Sequence, residues 1–395
     1  MAMKHLMAML VLALAAGCVN GPKEPTQKEA ATQRWHAARS DVLYGMAKQQ
    51  YQNGNFAESR KAIDDAIKLN PKHEPLYVLL ARLNIEQGQL ESAEKALQLA
   101  RSLDSKDFEV DYLFGVIYER WQKRDVALEC YTRASEQAPS ELAYLMAKAE
   151  MLVAMDRLPE ALSLLRDKMA YFEYSAAIRD AVGQMLVQQG KHAEGATILR
   201  QASILAPDEP AIREHLALAM FYAGDFREAG SLLSRLVKEE KYNSRADLFI
   251  ALGECQIQTG RSTEARESFE TASQLDPSSA GVWLKLTKAA LQLNDLRRAD
   301  LSARKAMSLD PASSEVHLTL GYVRLRQNRL DDALAAFRKA IALDSNDPVS
   351  LCMCGLVLEK QGKHTEAINY YALAIKLKPN DQLAATLMAQ ARPEE

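Results

Sequence analysis

The stretch Ala265-Arg-Glu-Ser-Phe-Glu-Thr-Ala-Ser-Gln-Leu-Asp-Pro277 decides the fold, because its skeleton returns along the chain at one interval. Close variants stand at Ala93–Ser105, Ala333–Ser345 and Ala367–Pro379. The step is 34 residues: the closing position falls on Pro71, Ser105, Pro139, Glu173 and Pro207, slips by two residues, and resumes at Pro277, Pro311, Ser345 and Pro379. A period of that length, held along most of the chain, marks stacked helix-turn-helix units.

With each unit numbered from 1 and the closing proline at position 32, positions 4, 8 and 11 fall on one face of a first helix, A. Positions 20, 24 and 27 do the same on a second helix, B, since residues three and four apart share a helical face. Position 8 is small in nearly every unit: Ala47, Ala81, Gly115, Ala149, Gly183, Ala217, Gly253, Gly321 and Gly355. Position 20 is alanine at Ala93, Ala127, Ala161, Ala229, Ala265, Ala299, Ala333 and Ala367. Such residues let two helices cross closely, and larger ones there should overpack at a cost of about 1–3 kcal/mol. Position 15 carries Gly54, Gly88, Gly190, Gly224, Gly260 and Gly362, with Asn294 and Asn328 in two late units. Glycine or asparagine suits the left-handed residue that ends a helix. The closing proline then stops helix B, because it lacks a donor and pushes its predecessor out of the α region.

Composition agrees with an all-α chain, since helix formers dominate and β-branched residues are few. At 395 residues a single compact core would be unusual, whereas a repeat array grows by neighbour packing. Charge is balanced, with 49 basic against 52 acidic side chains and no long run of either sign. Nucleic acid is therefore not an expected partner.

The array resembles the tetratricopeptide repeat proteins over about Ser40 to Pro379, as ten units, through residues such as Trp283, Leu286, Ala299, Ala306 and Pro311. The resemblance implies a right-handed superhelical solenoid whose inner wall is lined by positions 2, 5, 9 and 12 of helix A and holds protein or peptide partners. Mapped onto this sequence, those positions give Tyr44, Lys48, Tyr51, Arg82, Tyr112 and Glu119 early, and Glu150, Asp180, Gln184, Glu214, Phe221 and Glu254 in the middle. The late set is Leu284, Lys288, Leu291, Leu318, Tyr322, Leu325 and Leu356. Its apolar members read either as a contact surface or as packing for the next helix A. One subset of the family holds a partner's terminal carboxylate with Lys at position 5 and Asn at position 9 of its first unit. Here those places are Tyr44 and Lys48, which does not match.

Two places break the phase. The fourth unit lacks its late alanine and its proline and offers Met169, Tyr171, Phe172 and Tyr174; the sixth ends in Lys238–Ser244, which holds the two extra residues. A longer, more mobile connection and a change of curvature are expected near 238–245. Residues 380–395 read as a capping helix and a tail, and residues 18–39 as a tether leading into a helix whose Trp35 covers the open end of the first unit.

At the N-terminus Lys4 precedes eleven apolar residues, Leu6 to Ala16. That run is too short to span a bilayer and fits a signal-peptide core. Leu14-Ala15-Ala16-Gly17-Cys18 resembles a bacterial lipoprotein signal, with Ala15 where the family prefers leucine. The resemblance implies that residues 1–17 are removed, that Cys18 is lipidated and that the chain is held on a membrane. Two acyl chains anchor stably where one does not. Val19 after the cysteine, rather than aspartate, implies the outer membrane, facing the periplasm. An ordinary secretory signal with an incidental Cys18 is the alternative.

Ten units leave no room for a catalytic domain, and no P-loop, His-Glu-x-x-His, Gly-x-Ser-x-Gly or Cys-x-x-Cys pattern is present. The histidines His36, His73, His192, His215, His317 and His364 lie on different units without ligand spacing, and read as surface or turn residues. Cys130, Cys255, Cys352 and Cys354 read as buried thiols. No catalytic residue, metal, cofactor or small-molecule substrate is expected. The functional expectation is a non-enzymatic, lipid-anchored adaptor in assembly of an envelope machine such as a secretin, pilus or secretion complex. A scaffold for exopolysaccharide export and a substrate-selecting subunit of an envelope protease are the alternatives.

Overall fold

The structure is a computed structural model that describes residues 26–104 and 107–391; the signal-like segment, Cys18 and the tail from 392 lie outside the described residues. Among the described residues every element is an α-helix, twenty-one in all, and none is long and apolar enough to cross a membrane. Ten helix A–helix B pairs follow one another in the phase read from the sequence, and we number these repeats 1 to 10. Repeat 2 is typical, with helix A at Glu74–Glu86 and helix B at Leu90–Leu103.

The turn between the two helices is the same in all ten repeats. Position 15 is left-handed throughout, with φ between 57° and 89°, at the glycines and asparagines already named and also at Gln122 and Asp156. Each turn is closed by the amide of position 16 donating to the carbonyl of position 11, as in Asn55 to Gln50 at 2.9 Å and Arg261 to Gln256 at 2.8 Å. That bond satisfies a carbonyl the helix end would otherwise orphan.

Under the turn, positions 8 and 24 of each repeat are matched in size. A methyl group added at Gly253 would fall 2.6 Å from Phe269, at Gly321 2.4 Å from Phe337, and at Gly115 2.5 Å from Tyr131. Where position 8 is Ala47, Ala81 or Ala217, position 24 is the aliphatic Ile63, Leu97 or Leu233. Where it is Thr287, the opposing residue shrinks to Ala303, and both are buried. Close packing of this kind leaves no slack for a single methylene.

The chain forms two compact units that divide between Asp167 and Lys168. The division falls where the sequence lost its late alanine. Lys168 stands at position 27, which is alanine in eight repeats, and helix B of repeat 4, Leu158–Lys168, ends after 11 residues instead of 14. The first unit holds repeats 1–4. The second holds repeats 5–10 and a closing helix, Gln382–Gln390, whose Ala384 and Leu387 join the core of repeats 9 and 10.

Three local expectations change. Residues 27–52 form one continuous helix, started by a Thr26/Glu29 capping box, so the lead-in and helix A of repeat 1 are not separate elements; no glycine or proline between 27 and 44 could break them. Trp35 does not cover the repeat: it is 55% exposed and packs with His36 and Arg39 of its own helix. The connection after repeat 6 does not hang free. Tyr242 is 1% exposed within the core of repeats 5–7, and Glu239 pairs with Arg213 at 2.9 Å, so the two extra residues are spent on an anchored turn.

Candidate functional site

Helix A side chains of consecutive repeats converge on one pocket in each unit. In the first unit a pocket of about 460 Å3 is floored by Val78 and Leu79 and walled by Tyr44, Tyr51 and Pro75. Lys48, Gln52, Glu74, Arg82, Asp107 and Glu109 complete it. Tyr44, Lys48 and Arg82, mapped from sequence as groove residues, are thus brought together. Most of the charge here is already answered. Arg82 Nε donates to Glu109 Oε1 at 2.6 Å; burial works against the guanidinium, but that carboxylate outweighs it and raises its pKa. Glu74, at the start of helix A, is pushed up to about 8 by burial and then by a hydrogen bond and repulsion from Asp107. Burial and nearby carboxylates raise Tyr44 and Tyr51 as well. Lys48 is exposed.

In the second unit a pocket of about 430 Å3 lies on repeats 6, 7 and 8. Its walls are Phe221, Tyr222, Phe226, Ile257 and Phe269, and its polar rim is Glu254, Gln258, Lys285, Lys288 and Gln292. Phe221 meets Tyr222 edge-on at 5.2 Å and Phe226 at 6.0 Å. Lys285 is ion-paired with Glu254, and Lys288 with Glu315 at 2.7 Å. Phe221, Glu254 and Lys288 came from the sequence mapping. Tyr222, Phe226 and Lys285 did not, because they occupy positions 13, 17 and 6, outside the four positions counted.

Most of the other mapped residues serve the fold, whereas Glu150 and Gln184 stay exposed. Leu284 is corrected from surface to core: it is 6% exposed against Ala306 and Val316. Leu291 packs half-buried on the core of repeats 8 and 9. Leu318, Tyr322, Leu325 and Leu356 pack half-buried on the core of repeats 9 and 10. Tyr322 meets Phe337 edge-on at 5.6 Å. The late apolar stripe is therefore largely packing for the neighbouring repeat. Tyr112 lies between Tyr131 and Tyr144 with its ring tilted against both, at 5.7 and 4.8 Å, outside the pocket. Glu119 accepts the hydroxyl of buried Tyr131 at 2.6 Å, a bond that, after burial itself, holds the phenol protonated.

The histidines are not all bland surface residues, since His215 Nδ1 lies 2.8 Å from Asp180 Oδ1, which raises the imidazole pKa against the effect of burial. All four described cysteines are free and buried, and burial pushes Cys354 up to about 12. Among the described residues no group of three or more His, Cys, Asp or Glu is arranged to hold a metal ion.

Residues 50–113 match the family described as tetratricopeptide repeat. The helix pairs are tetratricopeptide repeats. Residues 209–395 match the family described as Cilia and flagella-associated protein 70 C-terminal domain. Human Protein O-mannosyl-transferase TMTC1 is 24% identical over 187 residues, which is 46% of this chain and 21% of that protein. The chain thus spans about a fifth of the length of the curated relative it matches. Among solved structures, the Cut9-Hcn1 hetero-tetramer of the APC/C is 14% identical, with 91% of this chain and 98% of that chain covered and a TM-score of 0.45. YrrB, described as a TPR protein with an unusual peptide-binding site, is 16% identical, with 48% and 96% covered and a TM-score of 0.40.

Proposed function

We propose that this chain is a non-enzymatic scaffold that holds protein partners against its helix A faces. The observation that carries this reading is the convergence of positions 9, 12 and 13 of neighbouring repeats on two pockets of about 460 and 430 Å3. Both volumes fall within the usual span of binding pockets, about 300–1,000 Å3. The same reading anchors the chain through lipidated Cys18 on the periplasmic face of the outer membrane, supported by the apolar run Leu6–Ala16 and the small residues before the cysteine. Its partners are then components of an envelope machine under assembly.

Photo-crosslinking residues placed at Lys48 and at Gln258, one in each pocket, test the scaffold in cells. Capture of one defined protein supports it, and its identity, secretin, pilus or secretion component, tests the envelope role. Absence of capture from both pockets overturns it. Acyl labelling of wild type against Cys18→Ala, with membrane fractionation, tests the anchor separately: an unlabelled wild-type chain removes it.

A further inference from the structure

The array carries its own control, because ten repeats show what each position needs for folding. Two side chains of the second unit's pocket depart from that pattern: Tyr222, whose ring meets Phe221 and His192, and Lys285, which is ion-paired with Glu254. Position 13, on the outer edge of helix A, is charged, amide-bearing or alanine in nine repeats, as at Gln52, Gln188 and Arg326; in repeat 6 it is Tyr222. That ring is 56% exposed, although burying an aromatic is where its stabilising value lies. Position 6 is buried at Leu79, Leu113, Ala251, Thr319 and Met353, half-buried at Ala147, Ala181 and His215, exposed at Gly45, and lysine only at Lys285 of repeat 8. Its side chain stays 38% exposed and carries its ammonium out to Glu254, as a lysine does when its stem sits at a half-buried position. Both exceptions line the same cavity.

The chemistry of the lining narrows the occupant. Phe221, Tyr222 and Phe226 give an aromatic wall. Two lysines stand against one glutamate, Glu254, so the lining carries a net positive charge. Lys288 is the more available cation: its pair with Glu315 joins side chains 55% and 57% exposed, and pairs that open to solvent exchange easily. Aromatic anchors with a charged neighbour are the groups that dominate protein interfaces.

We propose that the pocket of repeats 6–8 receives an aromatic side chain of a protein partner flanked by an acidic residue, the ring lying against Tyr222 and Phe221 and the carboxylate pairing with Lys288. This rests on the scaffold reading and names what one of its pockets selects.

The test uses the full chain and fluorescein-labelled nine-residue peptides with a Gly/Ser background and amidated C-termini. The central triplets are Asp-Phe-Glu, Lys-Phe-Lys and Asp-Ala-Glu. Asp-Phe-Glu should bind at least about tenfold tighter than either of the others, and more weakly as salt rises. Tyr222→Ala should weaken it about tenfold, Tyr222→Phe should restore it, and Lys288→Gln should lower affinity severalfold while flattening the salt dependence. Because Tyr222 and Lys288 are exposed, the melting temperature should not move, which separates a lost contact from a lost fold.

Equal binding of the three peptides, or of wild type and Tyr222→Ala, overturns the assignment. So does tighter binding of an Asp-Ala-Glu peptide made with a free C-terminus than of amidated Asp-Phe-Glu, which would make the pocket a chain-end site. If Gln258 captures a partner in cells while the peptides show no preference, this inference falls and the scaffold stands. If neither pocket captures anything, the scaffold falls with it.

Discussion

The pockets of repeats 1–3 and 6–8 share positions 6, 9, 12 and 13 of the repeat, yet they differ in what they leave unanswered. In the first, Glu109 takes Arg82, and burial with Asp107 close by keeps Glu74 protonated, so most of its charge is turned inward. In the second, an exposed tyrosine and a weakly paired lysine face outward. Position alone therefore does not make a binding site. What marks one is a residue that the repeat does not need.

The largest effect that would sharpen this contrast is expected at Gly253, which packs closely behind Phe269, a wall of the second pocket. Gly253→Leu forces side-chain atoms into a ring with no space to yield, and should destabilise the second unit by about 1–3 kcal/mol. It should also displace Phe269 and weaken capture at Gln258, while capture at Lys48 in the first unit is unchanged. Gly281 supplies the control, since a methyl group there would meet nothing closer than 3.8 Å; Gly281→Ala should stay within about 0.5 kcal/mol of wild type. Urea titration followed by hydrogen exchange reads both. Equal losses for the two substitutions would show that the wall at Phe269 is not tightly packed.

Why the sequence carried so much of the fold and so little of the site follows from the same residues. The fold is written ten times, so Gly54, Ala93 and Pro311 each repeat a statement made elsewhere. A site is written once. Counting positions 2, 5, 9 and 12 found Tyr44, Lys48 and Arg82, but it also returned Leu284, which the neighbouring repeat buries. Burial by a neighbour is a tertiary fact with no local signal. Tyr222 was legible in principle, as the one aromatic in its column, and Lys285 as the one lysine in a mixed column, but neither falls among the four inner-face positions. The anchored turn at Tyr242 was not legible, because a two-residue slip says where the phase is lost and not what fills the gap.

A second test asks whether the first pocket's charge is as inward-turned as its geometry indicates. Glu74 holds its proton up to about pH 8 when folded, against an ordinary value of 4.5. Between those values the folded chain binds more protons than the unfolded one, so stability falls as pH rises. The contribution is fully present below pH 4.5 and is lost through pH 8. Hydrogen exchange in residues 74–120 should therefore quicken from pH 5 to pH 9, after correction for the intrinsic rate, more than in repeats 6–8. Glu74→Gln should flatten the slope. If Glu74→Gln leaves the slope as steep as wild type, the acid pair is not its source.

The smallest effect is expected at the turns, where the two units also differ. In repeats 5–10 every left-handed position 15 is glycine or asparagine, whereas the first unit places Gln122 and Asp156 there with φ of 59°. A residue with a Cβ gives up about 1–2 kcal/mol in that conformation, and glycine's extra chain entropy offsets about 0.5–1 kcal/mol of the difference. Gln122→Gly should therefore stabilise the first unit by about 0.5–1 kcal/mol, visible as slower hydrogen exchange at the Lys123 amide that closes the turn onto Tyr118 at 2.9 Å. Gln122 also lines a shallow depression with Lys123, Arg124 and Met155. If the substitution instead destabilises, its side chain must be held there by contacts worth more than the strain of the turn, and Gln122 would join Tyr222 and Lys285 as a residue kept for something other than the repeat.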